Sequence, residues 1–304
     1  MTPRGLRALL CGLLALTVLS AAACTGGGSG RDIRGDGSRA PQTGAVVPSS
    51  ADGLGSVPPS PSPPASPAAA AGWWHPAVGL SWQWQLSGPL DKAVAADVYD
   101  VDGANTSAAD VAALKAAGRH VICYVNAGAH EDFRADAKNY PESVRGKALD
   151  GWPGEQWLDV RRWDVLEPLL AARFKTCRDK GFDAVEPDNV DGYSNNSGFP
   201  LTADDQLKFN RRVADLAHRT GLAVGLKNDV EQAAVLAPAF DFAVNEECAH
   251  YDECDALKVF IDAGKPVFHV EYEGSTSAFC AKTRSLRFSS MKKKLDLDAW
   301  REPC

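Results

Sequence analysis

The chain has 304 residues and a formal net charge of −7, from 32 Lys and Arg against 39 Asp and Glu. Its 8 Trp, 6 Tyr and 11 Phe all lie at or beyond Trp73. A stretch without large rings cannot assemble a core, which excludes a single globule of full length, and a pI near 5.4 excludes the basic stripe of a nucleic-acid binder.

Residues 1–23 read as an export signal. Arg4 and Arg7 supply the positive start, and the apolar run over 8–20 is too short for a stable membrane span. Ala21-Ala22-Ala23 leads into Cys24, which resembles a bacterial lipobox with Cys24 as the lipidated residue. Ordinary cleavage after Ala23, leaving a free Cys24, is the alternative. Residues 24–72 read as a disordered tether of Gly, Ser, Pro and Ala, ending in Pro58-Pro59-Ser60-Pro61-Ser62-Pro63-Pro64. Export and lipidation place the protein outside the cell, held to the membrane only through that anchor.

Residues 73–304 form the folded part, a length that suits one barrel-sized α/β domain. Five of the basic and three of the acidic residues precede it, which leaves 27 against 36 and a net −9. That balance favours a cationic partner. Cys11 leaves with the signal, so six cysteines remain beyond Cys24, enough for 15 pairings in an oxidising compartment. Cys248 with Cys254 and Cys280 with Cys304 are the local pairs, leaving Cys123 with Cys177. A zinc site on Cys248, His250 and Cys254 lacks a fourth ligand at a typical spacing.

Short apolar runs predict strands over 78–84, 97–101, 120–125, 183–188, 223–227, 242–246, 266–271 and 285–290. Helical stretches lie between them. Thr106-Ser107 caps one that stops at Gly118, a second runs over 161–180 to Gly181, and Thr202 with Asp205 caps a third that stops at Gly221. Weaker ones cover 230–237 and 251–263. Eight strands alternating with helices predict a single (β/α)8 TIM barrel. The turn after the first strand, Gln83 to Gly88, lacks the Gly-rich phosphate signature of a doubly wound sheet.

In a barrel the carboxyl ends of the strands carry the chemistry, and here seven of the eight ends are polar. They contribute Trp82, Asp100, Tyr124, Glu186, Asp188, Lys227, Glu246, Glu271 and Tyr272, among others. Asp102 and Asp229 also read as helix caps. Carboxylates, aromatics and amides converging on one cleft is the mixture a sugar site needs: rings stack on the apolar face of a pyranose, amides bind its hydroxyls, and two carboxyls flank the bond to be cut. The acidic pairs before Gly103 and Gly192 do not match a calcium loop. No cofactor or metal is expected.

The segments 182–193 (Phe-Asp-Ala-Val-Glu-Pro-Asp-Asn-Val-Asp-Gly-Tyr), 244–248 (Val-Asn-Glu-Glu-Cys), 122–128 and 270–272 together resemble glycoside hydrolase family 114, the endo-α-1,4-polygalactosaminidases. The resemblance implies a TIM-barrel glycosidase cutting α-1,4 links between galactosamine units, with Asp188 as nucleophile and Glu246, rather than the adjacent Glu247, as acid/base. It further implies that Asp100, Glu186, Asp191 and Glu271 pair with sugar amines, that Trp82, Tyr124 and Tyr272 stack on rings, and that Asn189 and Asn228 bind hydroxyls. Lys227 orients a carboxylate. The expected partner is a cationic, galactosaminogalactan-like polysaccharide met by a monomer, through a retaining mechanism. A non-catalytic polysaccharide-binding lipoprotein, or a glycosidase for another α-galactoside, fits the same residues.

Overall fold

The computed structural model describes residues 72–304. The expected signal, Cys24 and nearly all of the expected tether lie outside the described residues.

Eight parallel strands follow one another around the sheet in chain order. They are β1 (Trp82–Gln85), β2 (Val98–Asp102), β3 (His120–Asn126), β4 (Ala184–Asp188), β5 (Ala223–Lys227), β6 (Phe242–Glu246), β7 (Val267–Glu271) and β8 (Ser289–Lys292). Six helices connect them: α1 (Ala108–Ala116), α2 (Trp163–Lys180), α3 (Ala203–Thr220), α4 (Ala233–Leu236), α5 (Lys258–Asp262) and α6 (Thr276–Ser285). This is the expected (β/α)8 arrangement. Its seam is closed by the C-terminal tail: the backbone N–H groups of Leu86 and Ser87 donate to the Leu297 carbonyl at 3.0 and 3.3 Å, and Gln83 Nε2 donates to the Ala299 carbonyl at 2.8 Å.

The helix ends follow the sequence signals. Ser107 caps α1 by accepting from the Asp110 N–H. Thr202 and Asp205 form a reciprocal capping box on α3. Gly181 and Gly221 end α2 and α3 with φ of 94° and 79°, a left-handed turn that costs glycine little.

Three expectations shift. β1 starts at Trp82 instead of 78, because the chain turns through Gly79. β8 starts at Ser289 instead of 285, because α6 continues to Ser285 and Arg287 turns with φ of 62°. The helices expected over 230–237 and 251–263 break into single turns. In the second, the Cys248–Cys254 disulfide and Asp252, at φ of 55°, hold the chain in a tight bend.

Three disulfides join Cys123 to Cys177, Cys248 to Cys254 and Cys280 to Cys304, the pairing expected from the local spacings. Cys304 ties the end of the tail to α6, and its backbone N–H donates to the Ser290 carbonyl of β8 at 2.9 Å. Cys248 and Cys254, being bonded to each other, offer no thiolate for the zinc reading.

Alternation along each strand separates two cores. Val98, Ile122, Ala184, Ala223, Phe242, Val244, Phe268 and Val270 fill the barrel with Trp82 and Trp84. Tyr99, Val101, Val121, Val185, Val224, Leu226 and Val267 face the helices. Gly225 makes room inside: a Cβ there would lie 2.3 Å from the Phe242 ring. At the N-terminal ends of the strands, Trp73 stacks on His218 and donates to Asp241 at 2.9 Å, while Trp74 stacks on His120. Between β3 and α2 the chain adds a small antiparallel sheet of three strands, Ala129–Glu131, Arg145–Ala148 and Glu155–Leu158.

Candidate active site

The carboxyl ends of the strands open into a cleft of about 590 Å³. β4 delivers Asp188 to it, β5 delivers Lys227 and β6 delivers Glu246. Lys227 sits at the centre: its Nζ lies 2.9 Å from Asp188 Oδ1, 3.2 Å from Glu246 Oε2 and 3.3 Å from Glu186 Oε1. The ring of Trp84 covers it, with Nζ 4.7 Å from the centroid. Asp188 and Glu246 keep 18% and 24% of their side chains exposed, whereas Lys227 keeps 3%. The carboxylates are reachable from the cleft; the ammonium is not.

Each carboxylate has its own hydroxyl and amide. Tyr124 donates to Asp188 Oδ2 at 2.8 Å, and Asn189 Nδ2 lies 3.4 Å from the same oxygen. Tyr272 donates a close hydrogen bond to Glu246 Oε1, and Asn228 Nδ2 donates to Oε2 at 3.0 Å. Asn228 is fixed in turn, since its Oδ1 accepts from the Glu246 N–H at 2.9 Å.

The residues just past these three strands share a strained backbone. Asn189, Asn228 and Glu247 have φ of 60°, 49° and 63°. Non-glycine residues in the left-handed region collect where a site over-determines the chain. Gly128 supports the first of these turns: a Cβ there would fall 1.7 Å from the Asn189 carbonyl, and the Ala127 and Gly128 N–H groups both donate to the Asp188 carbonyl.

The electrostatics follow. Burial pushes the Asp188 carboxyl up, but the Lys227 charge and the Lys227 and Tyr124 hydrogen bonds outweigh it and hold Asp188 below the usual range. Burial disfavours the Lys227 cation, but Asp188, Glu246 and Glu186 reverse this and drive its pKa well up. Tyr124 and Tyr272 are pushed up first by burial and then by the carboxylates they serve, so both remain donors.

The structure thus brings Tyr124, Asp188, Asn189, Asp191, Lys227, Asn228, Glu246 and Tyr272 together in one cleft. Asp100 and Glu186 point into the barrel beneath it, fully buried, and do not line it. Two further expected contacts are elsewhere. Trp82 lies in the barrel core and donates its Nε1–H to the Ser289 carbonyl at 2.8 Å, so Trp84, the next residue on that face, is the cleft ring. Glu271 faces the helix side, where Oε1 accepts from the Ala249 N–H at 2.8 Å and lies 2.8 Å from His269 Nε2. Asp102, read as a cap, does accept from the Ala104 and Asn105 N–H groups, and it also holds Arg134. Asp229 caps no N–H with its side chain, which accepts from Asn210.

Sequence reasoning missed the walls. Asp150, Trp152, Glu155 and Trp157 from the small sheet line one side, and Tyr251 and Asp296 also line the cleft. Glu155 accepts from Asn126 Nδ2 at 3.0 Å, and burial, together with the charges of Glu131 and Asp188, raises it to about 7.

A parallel barrel whose strand ends present two reachable carboxylates, each held by a tyrosine and an asparagine in an aromatic cleft, defines a glycoside hydrolase. Residues 63–304 match the family model of glycoside-hydrolase family GH114. The chain belongs to that family. Ega3 of Aspergillus fumigatus, solved in complex with galactosamine, is 39% identical, covers 77% of this chain and 98% of its own, and superposes with a TM-score of 0.73. The glycoside hydrolase domain of PelA from Pseudomonas aeruginosa shares the fold at 17% identity, over 73% of this chain and 96% of its own, with a TM-score of 0.56. No curated protein sequence matches the chain.

Proposed function

We propose that the protein is an endo-acting, retaining hydrolase of α-1,4-linked galactosamine polymers, with Asp188 as nucleophile and Glu246 as acid/base. The observation that carries the mechanism is the lysine between them. Asp188 Oδ1 and Glu246 Oε2 are no further apart than the 2.9 and 3.2 Å contacts to Lys227 combined. That closeness of one oxygen from each carboxyl supports the ~5–5.5 Å separation of a retaining pair over the wider part of the ~6.5–9.5 Å range of an inverting pair. Galactosamine as the sugar is supported by the likeness to Ega3, solved with that ligand.

The ionised Asp188 attacks the anomeric carbon as the glycosidic C–O bond breaks, and the leaving oxygen takes the proton of Glu246. Water then attacks the glycosyl ester. Glu246 takes the water's proton, the sugar keeps the hydroxyl, and Asp188 is released as carboxylate. Asp150, Glu155, Asp191 and Asp296 on the cleft walls supply anions for the amines, and the cleft rings supply stacking faces.

The N-terminal features add a second part: lipidation at Cys24 and an extracellular, membrane-held position, with the catalytic unit a monomer. Three disulfides in the described part support an oxidising compartment.

The test is direct. Purified protein incubated with partially deacetylated galactosaminogalactan yields shorter oligomers, and Asp188→Asn loses this while keeping the wild-type melting curve. Binding without shortening would show a polysaccharide-binding module instead, and full activity in Asp188→Asn would remove its assigned role.

A further inference from the structure

Two carboxyl groups lie under the floor of the cleft, unused by the reaction. Asp100 on β2 and Glu186 on β4 are 0% exposed, and their side chains meet inside the barrel. Among the described residues, no amide, hydroxyl or ring N–H donates to any of their four oxygens. Among the described residues the one cation in reach is Lys227, 3.3 Å from Glu186 and already shared with Asp188 and Glu246. Asp100 makes no ion pair among the described residues.

Two touching carboxylates out of water, with a fraction of one lysine beside them, cannot both be ionised, because water no longer solvates the uncompensated charge. Such a pair keeps a proton. Glu186 has the lysine, so Glu186 is the ionised member. We propose that Asp100 carries a proton at neutral pH and donates it to Glu186, and that the pair is the positioning device that fixes Lys227 between Asp188 and Glu246.

The charges make the arrangement intelligible. Glu186 anchors the ammonium from below, so the lysine is not free to swing out toward the cleft. The proton on Asp100 limits the charge below to one. A second anion there would draw the ammonium down and away from Asp188 and Glu246. Burial first, and then the charge of Glu186, push Asp100 well above the carboxylate range. Burial also raises Glu186, while Lys227 and the hydrogen bond from Asp100 hold it down. The groups facing the pair are Asp188 on its own strand β4, Lys227 on β5 and Glu246 on β6.

Infrared spectroscopy and kinetics test this separately. The folded wild type should show the C=O stretch of a protonated, buried carboxyl at neutral pH, and Asp100→Asn should lose it. Asp100→Asn keeps an N–H donor toward Glu186 and should retain kcat within about threefold, whereas Asp100→Ala should fall about tenfold or more. Glu186→Gln should lower kcat about tenfold or more with KM little changed. Its acid limb should move to lower pH, because Asp188 loses a like-charged neighbour.

An absent band in the wild type, an unmoved acid limb in Glu186→Gln, or Asp100→Asn as damaged as Asp100→Ala overturns the proposal. So does failure of Asp100→Asn to fold, since an amide has the shape of the protonated acid. The kinetic arm rests on the proposed hydrolysis. A wild type that cleaves no galactosamine polymer defeats that reading and leaves the infrared arm to decide this one.

Discussion

A lysine at the centre of a site for a cationic sugar needs a physical reason. Lys227 is 3% exposed and its ammonium is enclosed by Asp188, Glu186 and Glu246, so little of it reaches the cleft. Among the wall carboxylates that can meet an ammonium is Glu155, which lines the cleft and makes no ion pair among the described residues. Burial first, then Glu131 and Asp188, raise it to about 7, against the pull of Arg134 and Asn126. It is therefore more ionised as pH rises through 7. KM for deacetylated polymer should fall between about pH 6 and 7.5, and Glu155→Gln should flatten that slope and raise KM several-fold; a slope that survives in the variant would show that Glu155 does not face the substrate. Most of the floor was legible in the sequence, because Asp188, Lys227 and Glu246 stand at strand ends. One misplaced residue violates the two-residue period: Glu271 and Tyr272 are adjacent and cannot share a face. Trp82 and Trp84 do share one, and only their depth in the barrel separates core from cleft.

The element that turns this floor into a groove is the small sheet inserted before α2. Its last turn holds Trp152, 43% exposed at the rim and lining the cleft. A ring in that place adds a stacking face away from the bond being cut. Trp152→Ala should raise KM on long polymer about fivefold while leaving the shortest cleavable oligomer nearly unaffected. Equal losses on both would mean that the turn supports the floor and does not hold distant sugar units. The insertion escaped the sequence reading because its strands are three or four residues long and mix charge with apolar groups, as in Arg145-Gly146-Lys147-Ala148. The long helices were legible because their caps are local chemistry: Ser107, Thr202 with Asp205, and the glycines at 181 and 221. The short turns after β5 and β6 were not, since a disulfide and left-handed residues override the periodicity there.

At the scale of the whole molecule, the excess of acid over base in 73–304 acts at a distance. Cleavage of deacetylated polymer should slow several-fold between about 0.05 and 0.5 M salt, mainly through KM, as the Debye length shrinks. A fully N-acetylated polymer should show no such dependence; equal salt effects on both would show that charge does not guide binding. The packing of Trp73 and Trp74 has another outcome. They bind at the starts of the strands, on His218, Asp241 and His120, while Asp188 and Glu246 stand at the opposite ends. Trp73 and Trp74, among the first described residues, therefore pack at the end of the barrel opposite the mouth. That end of the barrel is corked by indole and imidazole rings, so the mouth is left as the face at which a polymer strand meets the catalytic pair.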